Sequence, residues 1–200
     1  MKKTSLVLVF LLFGLTISKA SYCNKKRIIA DTSYQEMMFI IKTCEGYSDE
    51  VYKCSANVST RGWGITKIEL KEFNKQNKSN YKWGDLDNLK SNNEFLIKVT
   101  NWRYSYLAKK YPKLDARTLR GLVSFTFNVG NACLEKPIMK AALKVAHINK
   151  TPLCLAIKKY VYVKKGKLQG LVKRRNLECA LIKGDITKDK LSELQKSAIP

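Results

Sequence analysis

Three side chains in one short segment have types and spacing that could carry out hydrolysis. Glu45 follows the run Ser33 to Cys44, whose apolar residues recur at helical spacing, and Gly46 then favours a helix end. Thr60 comes fifteen residues after Glu45, in a β-branched segment, with Cys54 between them. A partly buried carboxyl group in the last turn of a helix holds its proton more tightly, as a general acid must. Glu45 is therefore a candidate proton donor, with a solvated helix-end residue as the alternative.

Two kinds of local structure surround these residues. In residues 50–65, polar and apolar side chains alternate and β-branched types are frequent. Turn residues stand at Asn57 and Gly62, so the segment predicts a small sheet or hairpin. Residues 77–85 are polar and predict a loop. Helical patterns predict helices over 94–110, 116–130, 139–148, 152–162 and 169–183. The sequence therefore predicts an α+β fold with a small β lobe, an all-helical C-terminal lobe and a cleft between them.

The two ends of the chain differ from its middle. Residues 1–20 have a basic N-terminal region, an apolar core and a cleavage site with small residues that ends at Ala20. This pattern is typical of a cleaved secretory signal. The apolar run is shorter than the roughly 20 residues of a membrane span, although an uncleaved anchor is the alternative. We expect a signal peptide over 1–20, an N-terminal segment over 21–33, one folded domain over 34–184 and a polar tail over 185–200. Such a protein would be secreted or periplasmic.

The charge of the chain restricts its partners. The net charge is +22, and it becomes +19 when residues 1–20, with three lysines and no acid, are removed. A strongly basic exported protein is attracted to an anionic cell-wall surface or to membrane headgroups, and export argues against nucleic acid. An alternative is that many lysines only cover solvated faces. The only histidine, His147, and the cysteine spacing give no zinc pattern. We expect a monomer without metal or cofactor.

The six cysteines all follow the signal, and an even number in an exported chain predicts disulfides. They are Cys23, Cys44, Cys54, Cys133, Cys154 and Cys179. The sequence alone leaves their connectivity open.

The segment that begins at Glu45 resembles the active-site signature of the phage-type lysozymes, glycoside hydrolase family twenty-four. The pattern E-G-x(5)-Y-x-C-x(5)-T-x-G-x-G matches that signature at Glu45, Gly46, Tyr52, Thr60, Gly62 and Gly64. Two further motifs agree in order and spacing: F-N-x-G over 127–130 and G-L-x-x-R-R-x-x-E over 170–178. The resemblance covers roughly residues 34–183 and implies a lysozyme-like fold.

This resemblance implies a muramidase, which hydrolyses the β-1,4 bond between N-acetylmuramic acid and N-acetylglucosamine in peptidoglycan glycan strands. Glu45 would protonate the glycosidic oxygen, and Thr60 would hold the attacking water on the opposite face. Position 54, usually aspartate in the family, would be the partner of Thr60. Arg174 could pair with the glutamate or bind a sugar substituent, with a surface charge as the alternative. Trp63 could be a sugar platform, with a core position as the alternative.

The cysteine at position 54 resembles a branch of exported phage endolysins that has Glu, Cys and Thr at this spacing. In that branch the thiol serves in the active site and can be blocked in a disulfide, which keeps the enzyme latent. The alternative is that Cys54 forms a permanent structural bridge. Cys44 and Cys23 are its candidate partners, and the branch implies a Cys154–Cys179 pair.

Two other functions remain open at the level of sequence. One is a non-catalytic wall-binding protein on a degenerate lysozyme fold. The other is a cationic protein that disrupts membranes. Hydrolysis that depends on Glu45 distinguishes the enzyme from both.

Overall fold

The computed structural model describes residues 32–53, 57–163 and 166–198 of the 200-residue chain. The expected signal peptide, most of the segment over 21–33, and Cys54 lie outside these ranges. The N-terminal half of the fold contains, in chain order, α1 (Thr32–Glu45), β1 (Ser48–Lys53), β2 (Ser59–Gly62), β3 (Ile65–Thr66), α2 (Lys67–Asn77), a 3₁₀ helix (Trp83–Leu86) and α3 (Leu89–Lys110). The C-terminal half contains α4 (Ala116–Val129), a 3₁₀ helix (Asn131–Glu135), α5 (Pro137–Val145), α6 (Thr151–Ile157), β4 (Tyr162–Val163), β5 (Gly166–Lys167), α7 (Gln169–Lys183) and α8 (Lys188–Ser197).

Helix α4 forms the centre of the helical lobe. Its N-cap is Asp115, whose carboxylate accepts a hydrogen bond from the Thr118 N–H at 2.7 Å. The helix packs against α1, α3 and α7, and residues such as Leu122 and Phe125 are fully buried. At Gly121 a Cβ atom would come within 2.3 Å of the Ile182 side chain, so glycine allows α4 and α7 to approach closely.

The predicted small sheet is present as three antiparallel strands in the order β1-β2-β3. Tyr52 of β1 and Thr66 of β3 lie on either side of Thr60 in β2. The sheet continues directly from the end of α1 and leads directly into α2. It therefore forms one wall beside the C-terminal end of α1.

Some local predictions differ from the structure. Helix α3 begins at Leu89 rather than at 94, because the Asn88 side chain caps it and accepts a hydrogen bond from the Ser91 N–H. The helix predicted over 152–162 ends at Ile157, and the prediction of an all-helical C-terminal lobe is wrong, since β4 and β5 form a short hairpin. The expected polar tail contains α8, whose Leu194 is buried as the helix packs against α1. Within the described ranges, no helix has the length and apolar character needed to cross a membrane.

Candidate active site

Glu45 is the last residue of α1, as the sequence predicts. The Gly46 N–H donates to the Lys42 carbonyl at 2.9 Å, which completes the final turn. The Glu45 side chain is 19% exposed and lines a cavity of about 400 Å³. The end of α1, Asn128 near the end of α4 and the first turns of α7 surround this cavity. The carboxyl group is therefore accessible at the junction of three helices.

Arg174 of α7 holds the Glu45 carboxylate in this position. Its Nη1 donates to Glu45 Oε1, its Nε donates to Glu178 Oε1 at 3.1 Å, and its Nη2 donates to the Ser124 carbonyl at 3.1 Å. The arginine side chain is 3% exposed. Burial opposes the charge, but Glu45 and Glu178 outweigh it, so the pKa of Arg174 is raised above its ordinary value. Arg174 is therefore a fixed cation beside Glu45.

Glu178 joins this arginine to a second one. Its Oε2 accepts from Arg175 Nη1 at 2.7 Å, and its Oε1 also accepts from the Ser124 hydroxyl at 3.1 Å. Arg175 Nη2 in turn donates to Asn128 Oδ1. Asn128 and Glu178 belong to the sequence motifs, but the sequence analysis assigned them no role. Their role depends on contacts between different helices, which a sequence pattern does not show. Together these residues position the Glu45 carboxylate from the side of the helical lobe.

The sheet contacts the same carboxylate from another side. Gly64 lies between β2 and β3 with a φ of +78°, and a Cβ atom there would lie 2.7 Å from Glu45 Oε2. The backbone can approach the carboxylate this closely only at a glycine. Thr60, on β2, is 2% exposed and donates from its hydroxyl to the Val58 carbonyl at 3.0 Å. The structure therefore brings the hairpin that carries Thr60 against Glu45.

Trp63 is part of the core and not a sugar platform in this structure. Its side chain is 1% exposed, and its indole N–H donates to Asn93 Oδ1 at 3.0 Å. The ring packs 5.0 Å from the Tyr47 ring, and the Lys42 ammonium lies 4.7 Å from its centre. The expectation that Trp63 stacks on a sugar is corrected in favour of the core position, because little ring surface remains exposed.

A second buried ion pair, between Glu69 and Arg103, contacts α4 on a different side from Arg174. Glu69 Oε1 accepts from Arg103 Nε at 3.1 Å and from Arg103 Nη2 at 2.5 Å, while Arg103 Nη1 donates to the Thr126 carbonyl at 3.3 Å. Burial raises the pKa of the Glu69 carboxyl, and Glu45 adds to that shift, while Arg103 opposes it. The pair links α2, α3 and α4. Its two partners are far apart in the chain, so local patterns do not reveal it.

The described cysteines contain no disulfide: Cys44, Cys133, Cys154 and Cys179 are free thiols. Cys44 lines the Glu45 cavity, and burial raises the pKa of its thiol. Cys154 and Cys179 are buried and face each other. The Cys154 thiol lies 3.9 Å from the Cys179 carbonyl, and the Cys179 thiol lies 3.6 Å from the Cys154 carbonyl. No metal-binding group of three or more His, Cys, Asp or Glu residues occurs in the part of the chain that the structure describes.

These contacts bring the three sequence motifs together around one carboxyl group. The family model described as phage lysozyme matches residues 42–178. The chain belongs to the phage lysozyme family. It is therefore a glycoside hydrolase of the lysozyme type, as the sequence predicts. The matched segment ends inside α7, so α8 lies beyond it.

Two solved phage endolysins have a similar fold. One is an endolysin from Escherichia coli O157:H7 phage FAHEc1, with 22% identity and a TM-score of 0.53 over 74% of this chain and 90% of that chain. The other is the active form of the P1 phage endolysin Lyz, with 19% identity and a TM-score of 0.55 over 78% of this chain and 86% of that chain. These similarities confirm the predicted lysozyme-like α+β fold. No curated protein sequence matches the chain.

Proposed function

We propose that this lysozyme cleaves the bond between N-acetylmuramic acid and N-acetylglucosamine with Glu45 as the proton donor. The observation that carries this proposal is the position of the Glu45 carboxylate, between Arg174 on one side and Gly64 of the hairpin on the other. The carboxyl group also lines an open cavity of about 400 Å³, which gives room for part of a glycan strand beside it. Glu45 is the only carboxylate among the lining residues described for this cavity.

In the proposed reaction, protonated Glu45 gives its proton to the glycosidic oxygen as the bond to the N-acetylmuramic acid C1 atom breaks. The proton transfer leaves a carboxylate, and the Arg174 cation stabilises that negative charge as it develops. A water molecule attacks C1 from the opposite face of the sugar. The leaving N-acetylglucosamine then carries a free hydroxyl group.

The attacking water is assigned to Thr60. The Thr60 hydroxyl hydrogen is directed to the Val58 carbonyl, which leaves the lone pairs of its oxygen to accept a hydrogen bond from that water. Cys54, six residues earlier and outside the described residues, is the proposed acceptor of the proton that the water loses. A thiolate can perform this role and a disulfide-bonded sulfur cannot, so oxidation of Cys54 would leave the enzyme latent. A permanent Cys54 bridge is the alternative.

The proposed setting is the bacterial envelope. The predicted signal over 1–20 would export the chain, and the +19 charge of the remaining residues would attract it to an anionic cell wall. Peptidoglycan glycan strands are then the partner, and the protein acts as a monomer without a cofactor. The proposed disulfides belong to the same oxidising setting.

The test is digestion of purified sacculi by the protein without residues 1–20, followed by borohydride reduction and mass spectrometry of the products. A muramidase leaves N-acetylmuramic acid at the new reducing ends, so reduced muramic acid should appear. Products that end in reduced N-acetylglucosamine would contradict the assigned bond. A wall-binding protein would release no reducing ends under oxidising or reducing conditions. A membrane-disrupting protein would instead release dye from anionic vesicles, with a steep loss at high salt.

A further inference from the structure

The ion pair between Glu69 and Arg103 connects the small sheet to the helical lobe. Glu69 lies in the first turn of α2, whose N-cap is Thr66, the last residue of β3. The Thr66 hydroxyl accepts a hydrogen bond from the Glu69 N–H at 3.0 Å, and Thr66 is also the sheet partner of Thr60. This cap holds the start of α2, and Glu69 with it, against the strand that carries Thr60.

Arg103 forms the helical side of the connection. Its side chain is 10% exposed and that of Glu69 is 9% exposed, so water screens the pair only weakly. Its Nη1 donates to the Thr126 carbonyl at 3.3 Å and to Asn131 Oδ1 at 3.4 Å. In the chain these two acceptors lie on either side of Asn128, which lines the active-site cavity. Arg103 therefore holds the end of α4 that brings Asn128 to the cavity.

The same end of α4 also anchors Glu45. Arg174, which donates to the Glu45 carboxylate, donates in addition to the Ser124 carbonyl at 3.1 Å. That carbonyl is two residues before the one that Arg103 contacts. Thr60 is thus connected through α2 and Arg103 to the part of α4 to which Glu45 is connected through Arg174. One helix and two arginines relate the positions of the two groups.

The ion pair also lies within electrostatic reach of the candidate proton donor. Burial raises the pKa of the Glu69 carboxyl, Arg103 lowers it, and the Glu45 carboxylate raises it further. The interaction between two charges is mutual, so a change of charge at Glu69 also acts on Glu45. Arg174 acts on Glu45 from α7. Charged groups of two different elements therefore influence the proton donor.

We propose that Glu69 and Arg103 are positioning residues that set the separation between the sheet and the end of α4. This role rests on the proposed function, in which Thr60 holds the attacking water and Glu45 donates the proton. Both groups must meet the same sugar from opposite faces. A small change in the separation of the two walls misaligns one of them, which slows the reaction without removing a reacting group.

The test compares Glu69→Gln with the matched control Glu36→Gln. Each substitution neutralises a carboxylate that lies 2.5 Å from an arginine nitrogen, but Glu36 and its partner Arg117 lie near the starts of α1 and α4, away from the active-site cavity. Kinetics on solubilised glycan strands are measured where circular dichroism shows both variants folded. Glu69→Gln should lower kcat about tenfold or more, because a reacting group is displaced. Glu36→Gln should keep its kcat.

A second variant and the pH profile separate position from charge. Glu69→Gln leaves the Arg103 cation without its carboxylate, and a cation favours the ionised form of a nearby acid. The alkaline limb of its kcat/KM profile should therefore move to lower pH. Glu69→Leu/Arg103→Met removes both charges, a change that buried ion pairs often tolerate without loss of stability. This double variant should leave the limb in place and still lose kcat, because the contacts between the walls are gone.

Amide hydrogen exchange provides a readout that does not need activity. Both variants of the pair should exchange faster than the unchanged protein over 60–69 and 124–131, whereas Glu36→Gln should not. An unchanged kcat in the folded double variant, or equal losses of kcat in Glu69→Gln and Glu36→Gln, would overturn the proposal. Unchanged exchange in both segments would overturn it as well. Faster exchange in a protein that cleaves no sacculi would refute only the proposed function.

Discussion

The Arg174 guanidinium donates a hydrogen bond to the Glu45 carboxylate across 129 residues of chain. This contact connects the end of α1 to α7, and Glu178 and the Ser124 carbonyl hold the arginine from behind. The arginine can therefore move little. Its cation remains where negative charge develops when Glu45 gives up its proton, which makes Arg174 a positioning residue for the proposed reaction.

Arg174→Lys tests this positioning role, because lysine keeps the charge but lacks the planar fork that reaches three acceptors. We expect kcat to fall about 100-fold with KM nearly unchanged, since a small misplacement of the proton donor is costly. Arg117→Gln is the control, because Arg117 pairs with Glu36 at the other end of α1. Kinetics on solubilised glycan strands measure both. An unchanged kcat in a folded Arg174→Lys protein would contradict the role.

Gly64→Ala tests the contact between the hairpin and the carboxylate. The new Cβ would lie 2.7 Å from Glu45 Oε2, so either the carboxylate or the hairpin must shift. We expect activity to fall by about 100-fold, together with a loss of about 1 kcal/mol in the free energy of unfolding from the positive φ.

The control for that substitution is Gly184→Ala. Gly184 has a similar φ of +84°, but a Cβ there makes only ordinary contact with the Arg117 side chain. The Gly184→Ala variant should lose a similar amount of unfolding free energy, measured in urea, and should keep its activity. Equal activity in the two variants would show that the close approach at Gly64 does not matter for catalysis.

Cys54 provides a redox prediction. If its thiol accepts the proton from the attacking water, a mild reductant should raise the activity of the oxidised protein by about tenfold or more, because only the thiolate can act. Cys54→Asp should be active without reductant, since a carboxylate cannot be blocked in a disulfide. Cys54→Ser should be weakly active under both conditions. The same activity before and after reduction of the unchanged protein would refute the switch.

Cys154 and Cys179 are predicted to form a disulfide when the protein is exported. Their buried thiols already lie against each other's backbone carbonyls, and the bond would close a loop between α6 and α7. The bridge should add about 3 kcal/mol to the free energy of unfolding. Peptide mapping by mass spectrometry of the exported protein should identify the linked peptides, and urea unfolding of Cys154→Ser/Cys179→Ser should show the loss. Peptides that link either cysteine to Cys44 would contradict this pairing.

The sequence predicts the parts of the fold that depend on local signals. The end of α1 at Glu45 and the full extent of α7 follow from helical spacing and, for α1, from the end residue Gly46. Motif spacing also places Glu45 and Thr60 on neighbouring elements. These features depend on residues that are close together in the chain, so they can be predicted from a single sequence.

The features that the sequence does not predict depend on contacts between distant residues. Trp63 is buried because Tyr47 covers its ring and Asn93 accepts its indole N–H, and neither contact follows from the strand pattern. Helix α8 has a polar composition, and its contacts with α1 fix it to the domain: Leu194 is buried there, and its carbonyl accepts a hydrogen bond from the Thr43 hydroxyl. The strands of β4–β5 are two residues long, which is too short for a periodic pattern.

The most direct test of the central claim is the rate at which Glu45→Gln releases reducing ends from sacculi. Glu36→Gln is the matched control, because Glu36 is also on α1 and is also paired with an arginine. The account predicts that Glu45→Gln retains its circular dichroism spectrum and loses at least about 100-fold in kcat, since an amide cannot donate the proton. Glu36→Gln should keep its rate. A folded Glu45→Gln protein that cleaves at the unchanged rate would contradict the account.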